Sequence, residues 1–254
     1  MYLWKYWRDT RRGFYVYVGI LVWLMLFWLY GLHRANRLHN IGGDPLILWT
    51  MSVGITFSLT YLCAIVMGFI TATSNVGSDL AKGTAEFLLT RPQPRRYFVW
   101  AGWAAGLAEV FALMLITGAL TMATTAIITG PVWRQVASPI RFQVDEQILN
   151  LPKMMTAAAI MAAVVFGLTY FLGVLFKSSQ RGLIASLGVC FGYVALSAIL
   201  KAWAGFSLPT MDFMDRASSA GAWHASPQLA MTGWALLALA FPFASQAALE
   251  RADI

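Results

Sequence analysis

Few side chains in this sequence are equipped for chemistry, and their spacing excludes most of it. Cys63 and Cys190, with His33, His39 and His224, form no group with metal-ligand spacing, so no metal site is expected. The phosphate-binding pattern G-x-x-x-x-G-K-[ST] does not occur; the pair Lys177-Ser178 lacks the preceding glycine. No catalytic residue is assigned, and a membrane-embedded enzyme would need acids, histidines or a nucleophile–base pair clustered in its spans. Two features remain. One is Glu109, a single acidic residue with apolar neighbours on both sides. The other is a short stretch of mixed polarity over residues 83–92.

Glu109 has two readings. A lone carboxylate inside a membrane helix costs about 2.5–3.5 kcal/mol on insertion scales. It then faces a cavity, a partner helix or a substrate path. Alternatively, its helix begins in the cytosol, and Glu109 sits near the headgroups beside a basic side chain.

Residues 73–98 read TSNVGSDLAKGTAEFLLTRPQPRRYF. Thr84 is placed to cap a short helix over residues 84–90. Glu86 falls in its first turn, where negative charge suits the helix dipole. Phe87, Leu88 and Leu89 give it an apolar surface too short to span a membrane. Arg91–Pro92 ends the helix, because a residue before proline avoids the helical region. On residues alone, this is either a solvated loop or a helix that docks in a partner's groove.

The elements around these residues are set by composition. Of 254 residues, 59% are hydrophobic and 11% charged. Soluble domains average about 25% charged. Six apolar runs have the length of roughly 20 residues that a bilayer core requires: 14–32, 46–72, 99–129, 154–176, 183–203 and 227–249. Period-2 alternation is absent, so the expected fold is all-α, a single transmembrane domain of six helices over residues 1–254. The formal charge of +7 belongs to the connections between runs, so lipid is the expected partner and nucleic acid is not.

Six spans put both termini on one side. Were that side cytoplasmic, it would hold eleven basic residues: Lys5, Arg8, Arg11, Arg12, Lys82, Arg91, Arg95, Arg96, Lys177, Arg181 and Arg251. The other side would hold seven: Arg34, Arg37, Arg134, Arg141, Lys153, Lys201 and Arg216. The excess favours cytoplasmic termini. Residues 1–13 read as an interfacial helix lying along the inner leaflet, with Lys5, Arg8 and Arg12 on one face; a frayed tail with anchoring aromatics is the alternative. Arg95 and Arg96 mark re-entry at the anionic inner surface. Residues 130–152, bounded by Pro131 and Pro152, read as a small outer cap, and residues 177–181 as a tight turn. Gly102-x-x-x-Gly106 and Gly188-x-x-x-Gly192 are read as helix-packing positions.

The run Gly83-Thr84-Ala85-Glu86-Phe87-Leu88-Leu89-Thr90-Arg91-Pro92, followed by Arg95 and Arg96, resembles the first cytoplasmic loop of ABC transporter permeases of the type-two exporter family. The likeness covers about a dozen residues in detail and the whole chain in layout. It implies a permease subunit in which Gly83, Thr84, Glu86, Phe87, Leu88, Leu89, Arg91 and Pro92 contact a separate ATP-binding subunit as a coupling helix. It implies no cofactor on this chain, with ATP and Mg on the partner, and pairing with a second copy or a paralogue in the inner (plasma) membrane. Glu109 would be a translocation-path residue. A membrane-embedded enzyme and a secondary transporter remain the other readings.

Overall fold

The computed structural model describes residues 2–37, 62–63, 65–73, 79–80, 95–132, 138–204 and 225–251. Among them the regular structure is helical throughout. The elements are α1 (Tyr2–Arg37), α2 (65–73), α3 (Arg95–Val132), α4 (Ser138–Leu175), α5 (Ser179–Ala204) and α6 (Ala225–Arg251). All but α2 are long and apolar enough to cross a membrane. Helices are the form lipid permits, because each backbone N–H and C=O finds its partner within its own segment.

Five of the six expected spans fall on these long helices. The second, 46–72, lies mostly outside the described residues, and α2 is its described end. Two boundaries differ from expectation. The interfacial helix expected over residues 1–13 is not a separate element: α1 runs unbroken from Tyr2 to Arg37. The expected cap over residues 130–152 is helical in its described parts, since α3 reaches Val132 and α4 starts at Ser138 and continues through Pro152. An interior proline removes one hydrogen bond and bends a helix. The remaining backbone groups are still best served by continuing it. At 38 residues each, α3 and α4 are roughly 57 Å long, well beyond a bilayer core of about 30 Å.

The centre of the bundle is α4, whose spanning window is 61% buried, against 11% for α5. It packs on α3, α5 and α6, while α1 packs chiefly on α3. The main core joins Tyr6 and Ala72 to Phe98, Val99, Trp103, Phe166, Tyr170 and Leu249. Against α4, Gly68 of α2 comes so close that an added Cβ would stand 2.8 Å from the Ala162 carbonyl oxygen.

One end of the bundle collects several chain ends. The rings of Tyr6 and Phe98 lie 6.1 Å apart. Tyr170 Oη donates to the Val99 carbonyl at 2.7 Å. Trp100 Nε1 donates to Gln246 Oε1 at 3.0 Å, and Gln246 Nε2 to Glu250 at 2.8 Å. The starts of α1 and α3 therefore share an end with the finishes of α4 and α6. This is the arrangement an even number of spans requires.

The α4–α5 turn is as tight as expected. Lys177 adopts a left-handed conformation, φ 49°, and the Ser178 amide donates back to the Gly173 carbonyl at 3.1 Å. Such a backbone closes a helix C-terminus, usually at glycine. Gly182 then meets Gly173: a Cβ on Gly182 would stand 2.5 Å from both the Cα and the N of Gly173. One turn further, Thr169 Oγ1 donates to Ser186 Oγ at 3.0 Å. Small residues allow this backbone approach, which drives helix association in lipid. Among the described residues, nothing comes within 4 Å of a Cβ placed at Gly188 or Gly192, so the close packing expected there is not made with them. The glycine that brings α5 close is Gly182.

Gly182→Ala is expected to destabilise the protein by about 1–3 kcal/mol, because the obstructing atoms are backbone and cannot turn aside. Gly188→Ala and Gly192→Ala should be neutral or slightly stabilising, as alanine favours helix by about 1 kcal/mol. Thermal unfolding in mild detergent compares the three. Equal effects would contradict the α4–α5 contact.

Candidate functional site

The residues singled out by sequence separate into two groups. Gly83, Thr84, Glu86, Phe87, Leu88, Leu89, Arg91 and Pro92 lie outside the described residues. Their two flanks lie inside. On one side, Asp79 pairs with Lys5, Nζ to Oδ2 at 2.5 Å. On the other, α3 opens at Arg95, and three residues later Phe98 meets Tyr6. Both flanks of the segment are therefore held to the start of α1.

The expected surface anchors are not equivalent. Arg8, Arg12 and Arg96 are exposed, as an anchor must be, and the Arg96 guanidinium lies 5.4 Å from the centre of the Tyr97 ring. Lys5 has an acidic partner as well. Its ammonium is half-buried against Asp79 and lies 5.1 Å from the centre of its neighbour Tyr6's ring. It ties α1 to the polar segment before α3.

Glu109 is the second group. It is only 5% exposed, and it stands fourteen residues into α3. At 1.5 Å per residue that is about 21 Å along the axis. Among the described residues no basic side chain pairs with it. Its partner among the described residues is the hydroxyl of Thr10, which donates to Oε1. Thr10 is itself buried, one helical turn from Tyr6 on the same face of α1. Its Oγ1 also lies 2.8 Å from the Tyr6 carbonyl oxygen, so one hydroxyl proton is shared between two acceptors.

A cleft of about 110 Å³ opens beside this contact. It is formed where α1, α2 and α3 meet, and its walls are Thr10, Gly13, Phe14, Tyr17, Ile70, Thr71, Glu109 and Leu113. An apolar cluster of Leu21, Met67 and Leu113, flanked by Phe14, Tyr17 and Cys63, packs the same three helices together. Thr71 Oγ1 donates to the Met67 carbonyl at 2.5 Å, the usual way a buried helical threonine satisfies its proton. The cleft thus combines one carboxyl group, hydroxyl oxygens and two aromatic rings.

Three members of these contacts carried no signal when read singly. Thr10 lies within the basic run DTRRG, and Asp79 in a glycine-punctuated polar stretch. The available clue was spacing: Tyr6, Thr10, Gly13 and Tyr17 share one helical face, opposite the basic residues. Thr71 had no such clue.

Fold and site define a multi-pass α-helical membrane protein with a buried acidic residue lining an internal cleft. The chain belongs to the family described as "Protein of unknown function (DUF2705)", which matches residues 20–254. No curated protein and no solved structure matches it.

The pairing of Lys5 with Asp79 gives a direct check. With Cys63 and Cys190 replaced, the double variant Lys5→Cys, Asp79→Cys should be joined in native membranes by a short thiol-specific cross-linker. Lys5→Cys with Thr232→Cys, on the distal helix α6, should not. Failure of the first pair to cross-link would contradict the fold at this end.

Proposed function

We propose that the chain is the membrane-spanning permease subunit of an ATP-driven ABC exporter, working with a separate ATP-binding subunit. The observation that carries the reading is the anchoring of residues 81–94. Lys5–Asp79 and Tyr6–Phe98 hold both flanks of the segment at the end of the bundle where α1 begins and α6 finishes. A docking element must transmit force, so its flanks need rigid attachment to the spans it moves. A merely solvated loop has no such need.

In this reading the end holding Lys5, Arg8, Arg96, Lys177, Arg181 and Arg251 is cytoplasmic, in keeping with the positive-inside bias. The chain sits in the inner (plasma) membrane with both termini inside. It pairs with a second copy or a paralogue. ATP and Mg bind the partner subunit, and this chain is not itself an enzyme. Its cargo is hydrophobic or amphipathic, moved across or out of the bilayer. Residues 84–90 form the coupling helix, with Phe87, Leu88 and Leu89 as the buried anchor and Glu86 and Arg91 as polar contacts around it. A helix this short is unstable alone, because nucleation is costly, and a partner groove would supply what it lacks.

Phe87→Ala should weaken association with the ATPase by about 2 kcal/mol or more, the cost typical of a buried aromatic anchor. Glu86→Ala should leave the complex detectable but reduce substrate-stimulated hydrolysis, since rim charges act mainly on orientation. Co-purification, then transport and ATP turnover in reconstituted vesicles, measures both. Normal assembly and coupling in both variants would refute the coupling role.

A further inference from the structure

Three arginines and one aspartate, Arg8, Asp9, Arg11 and Arg12, fall close together near the start of α1. Arg8 is engaged within the chain. Arg11 and Arg12 are exposed, and among the described residues neither makes an ion pair or a hydrogen bond. By helical periodicity Trp4, Arg11, Arg12 and Tyr15 share the side of α1 opposite Tyr6, Thr10 and Tyr17. Trp4 and Tyr15 are exposed as well. The outward side of α1 therefore carries two guanidinium groups between two aromatic rings.

Their depth matters more than their number. Tyr6 meets Phe98, which sets the level of α1 against α3. The exposed Arg96 stands two residues before Phe98. The exposed Arg251 stands two residues after Leu249, a member of the same core as Tyr6 and Phe98. These cations mark the end of the bundle. From that end α1 runs inward, so Arg11 and Arg12 lie about 10–12 Å deeper than Arg96 at 1.5 Å per residue. The contact of Thr10 with Glu109, eleven residues past Phe98, agrees with this depth. Both arginines also fall inside the apolar spanning window Thr10–Phe27. An arginine turned toward hydrocarbon is costly unless its stem lifts the charged head to the surface or polar groups come down to meet it. An extended side chain covers only part of this depth. A polar lipid group must meet it for the rest.

We propose that Arg11 and Arg12 grip the phosphate of an anionic phospholipid drawn inward along the outer face of α1. A guanidinium offers paired N–H donors that match two phosphate oxygens at once. The arginines outnumber Asp9, so this turn keeps a positive charge. That charge favours a head group with a net negative charge over a zwitterionic one, whose own ammonium is repelled. Tyr15, Gly19 and Trp23 continue the same face at intervals of four residues. Among the described residues, nothing comes within 4 Å of a Cβ placed at Gly19, and Tyr15 and Trp23 stand exposed on either side of it. One acyl chain lies in that recess. The site needs this chain alone and stands whether or not the exporter reading holds.

The test uses the full chain in phosphatidylcholine vesicles, with Cys63 and Cys190 replaced and a bimane fluorophore attached at Gly19→Cys. Nitroxide-labelled phosphatidylglycerol and nitroxide-labelled phosphatidylcholine are compared as quenchers. Phosphatidylglycerol should quench at about fivefold lower concentration or less, the preference one basic residue typically gives at an anionic surface. Arg11→Gln combined with Arg12→Gln should bring the two lipids level. Arg11→Lys combined with Arg12→Lys keeps the charge but loses the paired donors, and should retain only part of the preference. Both positions are exposed, so neither pair of substitutions disturbs the core. The same fluorophore at Val189→Cys, on the exposed side of α5 and eight residues past Arg181, should be quenched equally by the two lipids. Unlabelled phosphatidylglycerol should relieve the quenching at position 19, and inorganic phosphate should not. Equal quenching by both lipids at position 19 with the arginines intact, an undiminished preference in either double variant, the same preference at position 189, or relief by inorganic phosphate would overturn the proposal.

Discussion

A carboxyl group enclosed by apolar helices must be given a donor, and the position of α1 follows from that requirement. In lipid, apolar side chains gain little by choosing a neighbouring helix over a hydrocarbon tail. The spanning window of α1 is only 17% buried, so apolar packing alone leaves its depth and rotation poorly fixed. The contact of Thr10 with Glu109 fixes both. It is made from one face of α1, and Tyr6, a turn earlier on that face, packs against Phe98 of the same partner helix. Lys5 adds a second polar tie, to Asp79. Once α1 is placed, α2 closes against it through Met67 and Leu21, and the cleft appears where the three helices fail to fill the space.

The rest of the bundle is held differently. Around α4, contact is made by small residues and by hydroxyls, some satisfied on their own helix and some reaching a neighbouring one. The Thr169 hydroxyl proton is shared between the Val165 carbonyl at 2.8 Å and Ser186 Oγ at 3.0 Å, and Ser245 of α6 donates to Phe241 at 2.8 Å. Gly173 against Gly182, and Gly68 against Ala162, let backbones meet directly. These contacts depend on shape and leave no charge to neutralise. The bundle thus has a close-packed side around α4 and a polar, incompletely filled side around α1. The buried carboxyl group and the tied flanks of residues 81–94 both lie on the second side.

Much of this was legible in the sequence, for a physical reason. Apolar length reports directly on what lipid demands, so the runs 99–129 and 154–176 fall almost wholly on the longer helices α3 and α4. Glu109 stood out because a lone acid is costly in such a run. Helix continuity was not legible. Hydropathy marks where a helix meets lipid, whereas backbone hydrogen bonding continues in either solvent. That is why α1 begins well before residue 14, and α4 well before residue 154 and through Pro152. The partners were not legible either. Thr10 and Asp79 are ordinary polar residues until folding brings α1 beside α3 and the segment before it. The acidic partner of Lys5 was hidden for the same reason: it is 74 residues away in sequence. The segment 83–92 took its meaning from family resemblance, and only its flanks have a structural account.

The account's central claim is that a buried polar contact sets α1 against α3. A double-mutant cycle on Thr10→Val and Glu109→Leu, read by reversible unfolding in mixed micelles, tests it most directly. The account predicts a coupling energy of about 0.5–2 kcal/mol, the double variant losing less stability than the sum of the two single variants. Strictly additive losses would contradict it.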